Sequence, residues 1–119
     1  MFFLDSYALI EIIKGNSKYK KYLKETTITT RLNLMELYYY LLRKKGERRA
    51  EYYYDYYLPT CITIPDNVIK DAMKFKLKYK NKKLSYVDCI GYILSLQLGI
   101  KFLTGDKEFK DFKNVEFVK

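Results

Sequence analysis

The stretch Phe2-Phe3-Leu4-Asp5-Ser6-Tyr7-Ala8-Leu9-Ile10-Glu11-Ile12-Ile13 joins two hydrophobic periods through one carboxylate. Phe2 to Leu4 is a continuous apolar run fit for a strand, whereas Leu9, Ile12 and Ile13 carry a helical pattern until Gly15. The far end of the chain repeats the pattern: Lys101 to Leu103 leads into a strand that stops at Thr104-Gly105-Asp106, and Val115 to Val118 makes a last strand.

Between these ends the spacing keeps alternating. Asn16-Ser17 starts a second helix through Lys24, and the β-branched run Thr26 to Thr29 fits a short strand. The helix after Thr30 carries Leu32, Leu34, Met35, Leu37, Leu41 and Leu42, apolar nearly all round, which predicts burial on more than one side before Gly46 closes it. Glu47 to Tyr57 reads as a tyrosine-rich helix broken by Pro59, and Cys61 to Ile64 as a strand. After Pro65, residues Val68, Ala72, Phe75 and Tyr79 form a helical stripe, although Lys74 to Lys80 also alternates with period two. Ser85 can cap an apolar helix through Leu98 that Gly99 ends. Strands alternating with helices imply a parallel sheet flanked by helices, with ligands at the carboxyl ends of its strands.

Composition bounds the chemistry. At 119 residues, 49% hydrophobic and 31% charged, the chain is expected to fold as one domain over residues 1–119. Charges interrupt every apolar run before membrane-spanning length, and Asp5 arrives too early for a signal peptide, so the expectation is a cytoplasmic protein with no membrane partner. Cys61 and Cys89 lack the close spacing of a zinc site and read as buried thiols. The absence of histidine removes Ser-His-Asp and Cys-His nucleophiles, His-ligated zinc and imidazole bases, leaving carboxylates, lysines, tyrosines or metal for any hydrolysis. A formal charge of +9, from 23 basic against 14 acidic residues, favours a polyanionic partner.

Four acids stand out. Asp5 and Asp106 follow strands directly, whereas Glu36 in Leu34-Met35-Glu36-Leu37 and Asp88 in Val87-Asp88-Cys89-Ile90 sit in apolar helical surroundings where an unpaired charge is costly. Each also has a structural reading. Asp5 and Asp106 suit N-caps, Ser85-Tyr86-Val87-Asp88 satisfies the capping-box pattern, and Asn33-Leu34-Met35-Glu36 imitates it loosely. Caps alone leave unexplained why carboxylates recur at four points that such a fold brings to one rim. Gathered there, they would repel and take up protons unless a divalent cation such as Mg²⁺ or Mn²⁺ neutralised them.

Phe3-Leu4-Asp5-Ser6-Tyr7-Ala8-Leu9-Ile10-Glu11, then Glu36-Leu37, then Leu84-Ser85-Tyr86-Val87-Asp88, then Leu103-Thr104-Gly105-Asp106-Lys107-Glu108-Phe109 resemble, in that order, the PIN-domain family and in particular the VapC-type toxins of toxin–antitoxin pairs. Tyr7 stands where many relatives carry Asn or Ser, a departure that leaves the acids intact. The resemblance implies a three-layer α/β/α sandwich with a central, mainly parallel sheet. It also implies metal-dependent endoribonuclease activity, inhibition by a cognate antitoxin, and a homodimer. By the same resemblance Asp5, Glu36, Asp88 and Asp106 form the acidic quartet that holds Mg²⁺ or Mn²⁺, and Ser6 and Thr104 orient ligands or water.

On this reading RNA is the substrate, approached through basic residues such as Arg43, Lys44, Lys45, Arg48, Arg49 and the Lys74 to Lys83 series. The tyrosines at 38 to 40 and 52 to 57 suit base stacking, but suit a dimer interface or an antitoxin groove better. The alternatives are an RNA-processing nuclease of the same fold outside any toxin–antitoxin pair and a non-catalytic RNA-binding module. A receiver-like phosphoacceptor fits less well, because strand one ends in a lone Asp5 and Asp106 stands where a lysine would be needed.

Overall fold

Phe2–Leu4 (β1), Thr27–Ile28 (β2), Lys101–Thr104 (β3) and Val115–Phe117 (β4) form one sheet in a computed structural model that describes all residues Met1–Lys119. The strand order is β2-β1-β3-β4 and every neighbouring pair is parallel. The chain leaves β1 towards β2 on one side and leaves β3 towards β4 on the other. The topological switch point therefore lies between β1 and β3, where a doubly wound sheet opens its crevice. Leu4 is in register with Leu103, and the Asp5 N–H donates to the Leu103 carbonyl at 3.3 Å, so the ends of these two strands lie side by side.

Five α-helices cover the sheet: Ser6–Ile13 (α1), Arg31–Lys44 (α2), Glu47–Tyr57 (α3), Asp66–Lys78 (α4) and Tyr86–Leu98 (α5). Side chains alternate across a strand, and here the alternation assigns the layers. Phe3 and Phe102 pack with Val68, Ala72, Cys89 and Tyr92 of α4 and α5, while their neighbours Leu4 and Leu103 pack with Leu9, Leu34, Leu37 and Leu41 of α1 and α2. Both faces of the sheet are buried and the sandwich has three layers. Gly91 allows α5 to lie flat on the sheet, because a Cβ there would stand 2.8 Å from the Phe3 ring and 3.2 Å from that of Phe102.

Several elements differ from their sequence reading. Cys61 to Ile64 is not a strand. Its pairing is one bridge, Thr29 to Cys61, because β2 is only two residues long and the adjoining chain turns through the 3₁₀ segment Leu58–Thr60 before and Pro65 after. The helix after Thr30 is buried along one stripe only. Leu34, Leu37 and Leu41 face the core, whereas Met35 (54%), Tyr39 (63%) and Leu42 (39%) are exposed, since the sheet and α3 cover a single side. The helix read from Asn16-Ser17 through Lys24 is present as the 3₁₀ segment Ser17–Lys24, capped by Asn16. The Lys74 to Lys80 ambiguity resolves as helix to Lys78, because Phe75 joins an aromatic cluster with Tyr79, Tyr92 and Phe112 that a flat strand would split. Both thiols are free; Cys89 is buried and Cys61 only half-buried.

Candidate functional site

Asp5 ends β1 and caps α1, its Oδ1 accepting the Ala8 N–H at 2.8 Å. It is 1% exposed. Its pKa is raised to about 8: burial is the main cause, the charges of Asp88 and Asp106 add to it, and hydrogen bonds from the Thr104 hydroxyl and the Ala8 N–H oppose it. Asp106 follows β3 and caps the 3₁₀ turn Lys107–Phe109, accepting the Glu108 N–H at 3.0 Å, while its own N–H donates to Thr104 Oγ1 at 3.0 Å. Thr104, fully buried, thus serves the backbone of one acid and the carboxyl of the other.

Asp88 completes a reciprocal capping box at the start of α5: the Ser85 hydroxyl accepts the Asp88 N–H at 3.0 Å and Asp88 Oδ2 accepts the Ser85 N–H at 3.2 Å. Burial raises its pKa, the Ser85 hydrogen bonds lower it, and Asp106 and Glu36 raise it again. Glu36, on α2, accepts a hydrogen bond from the Ser6 hydroxyl. The apolar surroundings read from sequence are thinner than expected for two of the acids. Glu36 and Asp88 are half-buried, and Asp5 alone is fully enclosed.

The cap readings and the site reading are therefore compatible. Asp88 and Asp106 each engage a local cap and Glu36 engages the Ser6 hydroxyl, while Glu36 Oε2 and Asp106 Oδ2 accept no protein donor. Charge repulsion links Asp5 to Asp88 and Asp106, and Asp88 to Asp106 and Glu36, so all four share one field. No base answers it. The only ion pair in the molecule is Lys14 with Glu11 at 3.3 Å, although 23 basic residues are present. As the side chains stand, no three Asp, Glu or Cys groups come together closely enough to hold a metal ion, so the structure places the four acids in one neighbourhood without bringing them into a ligand set.

Sequence reasoning misses two contributors. The pattern from Asn33 to Glu36 imitates a cap, but Thr30 is the cap and Asn33 lies inside α2, 1% exposed. The Thr30 hydroxyl donates to Asn33 Oδ1 at 2.6 Å, Asn33 Nδ2 donates to Ser6 Oγ at 3.1 Å, and the Ser6 hydroxyl donates to Glu36. This one-way chain fixes where the Ser6 proton points and aims it at the acid. No sequence signal marks Asn33, which has the appearance of a solvent-facing helical residue until the fold buries it. Tyr7 lies against Gly105: a Cβ on that glycine would overlap the tyrosine ring and stand 2.5 Å from the Val118 carbonyl oxygen. From Ser6 and Glu36 an open cleft of about 530 Å³ runs past Ile10, Met35 and Tyr39 to Arg43.

No curated protein matches this sequence. Among solved structures, the chain is similar to Mycobacterium tuberculosis VapC20, described as a sarcin-ricin-loop-cleaving toxin, at 18% identity and a TM-score of 0.80 with all of both chains covered. It is also similar to a chain of a toxin–antitoxin complex from Klebsiella pneumoniae, at 18% identity and a TM-score of 0.77 over 98% of this chain and 96% of that one. A chain of DNA-bound VapBC from Salmonella typhimurium gives 16% identity and a TM-score of 0.72, with the same coverage of 98% and 96%. These likenesses show the fold, a parallel sheet between helical layers as in VapC. The family model described as PIN domain matches residues 2–115, nearly the whole chain, and the protein belongs to the PIN-domain family.

Proposed function

We propose that this protein is a Mg²⁺- or Mn²⁺-dependent endoribonuclease and the toxin of a type II toxin–antitoxin pair, with Asp5, Glu36, Asp88 and Asp106 holding the metal. The observation that carries the reading is the uncompensated carboxyl group at the switch point: Asp5 is fully buried, the charges of Asp88 and Asp106 bear on it, that of Glu36 bears on Asp88, and no basic side chain forms an ion pair with any of the four. Such a group is expensive to keep ionised in a protein interior, and a divalent cation removes the cost. An all-carboxylate donor set suits Mg²⁺ or Mn²⁺, which favour oxygen and keep several waters, rather than zinc, which favours nitrogen and sulfur.

Bound there, the metal supplies a water of lowered pKa and stabilises charge on the phosphate and the leaving oxygen. The chain's own part is placement. Asp5 gives up its proton when its charge is answered, the caps at Ala8, Ser85 and Glu108 hold three carboxyls in fixed rotamers, and Ser6 and Thr104 steer the acids they touch. RNA as substrate is supported by the net charge of +9 and by the likeness to VapC20, a sarcin-ricin-loop-cleaving toxin. An antitoxin partner is supported by the likeness to chains of the Klebsiella toxin–antitoxin complex and of Salmonella VapBC. The exposed Met35 and Tyr39 along the cleft offer the apolar strip that a partner segment would cover. No helix is long and apolar enough to cross a membrane; a single-domain, cytoplasmic homodimer completes the proposal.

The test is RNA cleavage by purified parent and Asp5→Asn in Mg²⁺ and in EDTA. Cleavage confined to parent with metal is expected, at least about 100-fold above the variant. Equal cleavage by both, or cleavage undiminished in EDTA, contradicts the assignment.

A further inference from the structure

The segment between Ala72 and Val87 carries six lysines and no acid. Two hydrogen bonds fasten its end between two members of the acidic quartet. The Lys83 N–H donates to Glu108 Oε1 at 3.1 Å, in the turn that Asp106 caps, and the Ser85 N–H donates to Asp88 at 3.2 Å. Tyr86 follows at once, 64% exposed, with the Lys76 ammonium 4.9 Å from its ring centroid and hydrogen-bonded to the Leu84 carbonyl. Lys80, Lys82 and Lys83 are exposed and have no ion-pair partner.

We propose that this segment, with Tyr86 as a stacking platform and Lys80, Lys82 and Lys83 as phosphate contacts, is the surface along which single-stranded RNA enters the acidic site. The proposal rests on the nuclease reading above and deepens it by naming the substrate track. An acidic pocket repels a polyanion, so a nuclease of this kind needs cations close to its acids but not neutralising them. This segment supplies that arrangement, because its end is bonded to Asp88 and to the turn that Asp106 caps, and its lysines form no ion pair with either acid. Lys76 is already held by a carbonyl and a ring, so little of its side-chain freedom remains to be lost on binding. It occupies one face of Tyr86, leaving the other to a base, which stacks best when unpaired as in a single strand. In the rival basic cluster, Arg43 lies in the cleft that starts at Glu36 but is stacked over the Tyr39 ring, and Lys44, Lys45 and Arg48 begin about 12 Å along the axis of α2 from Glu36, counted at 1.5 Å per residue.

Anisotropy of a fluorescent, short single-stranded RNA, measured in EDTA across a KCl series, reads binding without cleavage. Lys80→Gln/Lys82→Gln/Lys83→Gln should weaken binding at least about tenfold and lower the salt slope by about two. Tyr86→Leu should weaken it about 5- to 100-fold with the slope unchanged. Lys44→Gln/Lys45→Gln/Arg48→Gln, an equal change in charge, should lose clearly less than the first triple variant. An equal or larger loss in that control, parental affinity in Tyr86→Leu, tighter binding of the duplex form, or no binding by the parent at low salt each overturns the track. A parent that binds in this pattern but cleaves no RNA in Mg²⁺ instead sinks the nuclease reading and leaves the surface standing.

Discussion

Asp5 concentrates the cost of the site in one side chain. Its folded pKa of about 8 lies above the ordinary 3.8, so between those values the metal-free native state holds a proton that the unfolded chain releases. The stability this contributes is complete below about pH 4 and is lost as pH rises towards 8, by at most about 1.4 kcal/mol per pH unit. Asp88, also raised, acts in the same direction. Chemical denaturation in EDTA should therefore show parent stability falling from pH 5 to 8 and Asp5→Asn falling much less; parallel curves would refute this role for Asp5. Asn33→Ala should release Ser6 from its fixed orientation and reduce kcat about 10- to 100-fold while leaving single-stranded RNA affinity unchanged. Asp5 and Asp106 are legible in the sequence because each stops an apolar run at a strand end. Asn33 is not, since a buried asparagine on a helix has the sequence appearance of a solvent-facing one, and only the fold places Ser6 beside it.

At the scale of elements, two close approaches hold the layers and the rim. Gly91→Ala pushes a methyl into the stacked Phe3 and Phe102 rings, which are fully buried and have nowhere to retreat. A loss of about 1–3 kcal/mol is expected, read as a lower midpoint in urea, with cleavage retained below the transition. Gly105→Ala should cost more and remove activity as well. Adding Tyr7→Ala should not rescue it, because the Val118 carbonyl still stands 2.5 Å from the new Cβ. Rescue by that second change would show the tyrosine ring to be the sole obstacle. Strands β1 and β3 are readable as unbroken apolar runs because both of their faces are buried. Cys61 to Ile64 misleads for the opposite reason: a β-branched run at the sheet edge has the right composition but little strand beside it to pair with. The apolar count of α2 likewise says how much hydrophobic surface the helix carries, not how much its own chain covers, and Met35 and Tyr39 are left for something else.

For the molecule as a whole, charge is separated rather than paired. The chain carries a net charge of +9, yet four of its acids gather in one place, and one ion pair is the only direct meeting of the two signs. Length, composition and the missing histidine already confine hydrolysis to carboxylates, lysines, tyrosines or metal; how far the acids stand from any base needs coordinates. A cation at the centre should stabilise the fold by mass action, about 2.7 kcal/mol at a hundred times its Kd, and Asp5→Asn should forfeit that gain. The decisive test is calorimetric titration of Mn²⁺ into metal-free parent at neutral pH in two buffers of different ionisation heat. Saturable binding is expected, with an apparent heat that depends on the buffer because Asp5 releases a proton, and that dependence should vanish in Asp5→Asn. Absence of saturable Mn²⁺ binding by the parent, or identical titrations for the two proteins, would contradict a metal centre built on Asp5.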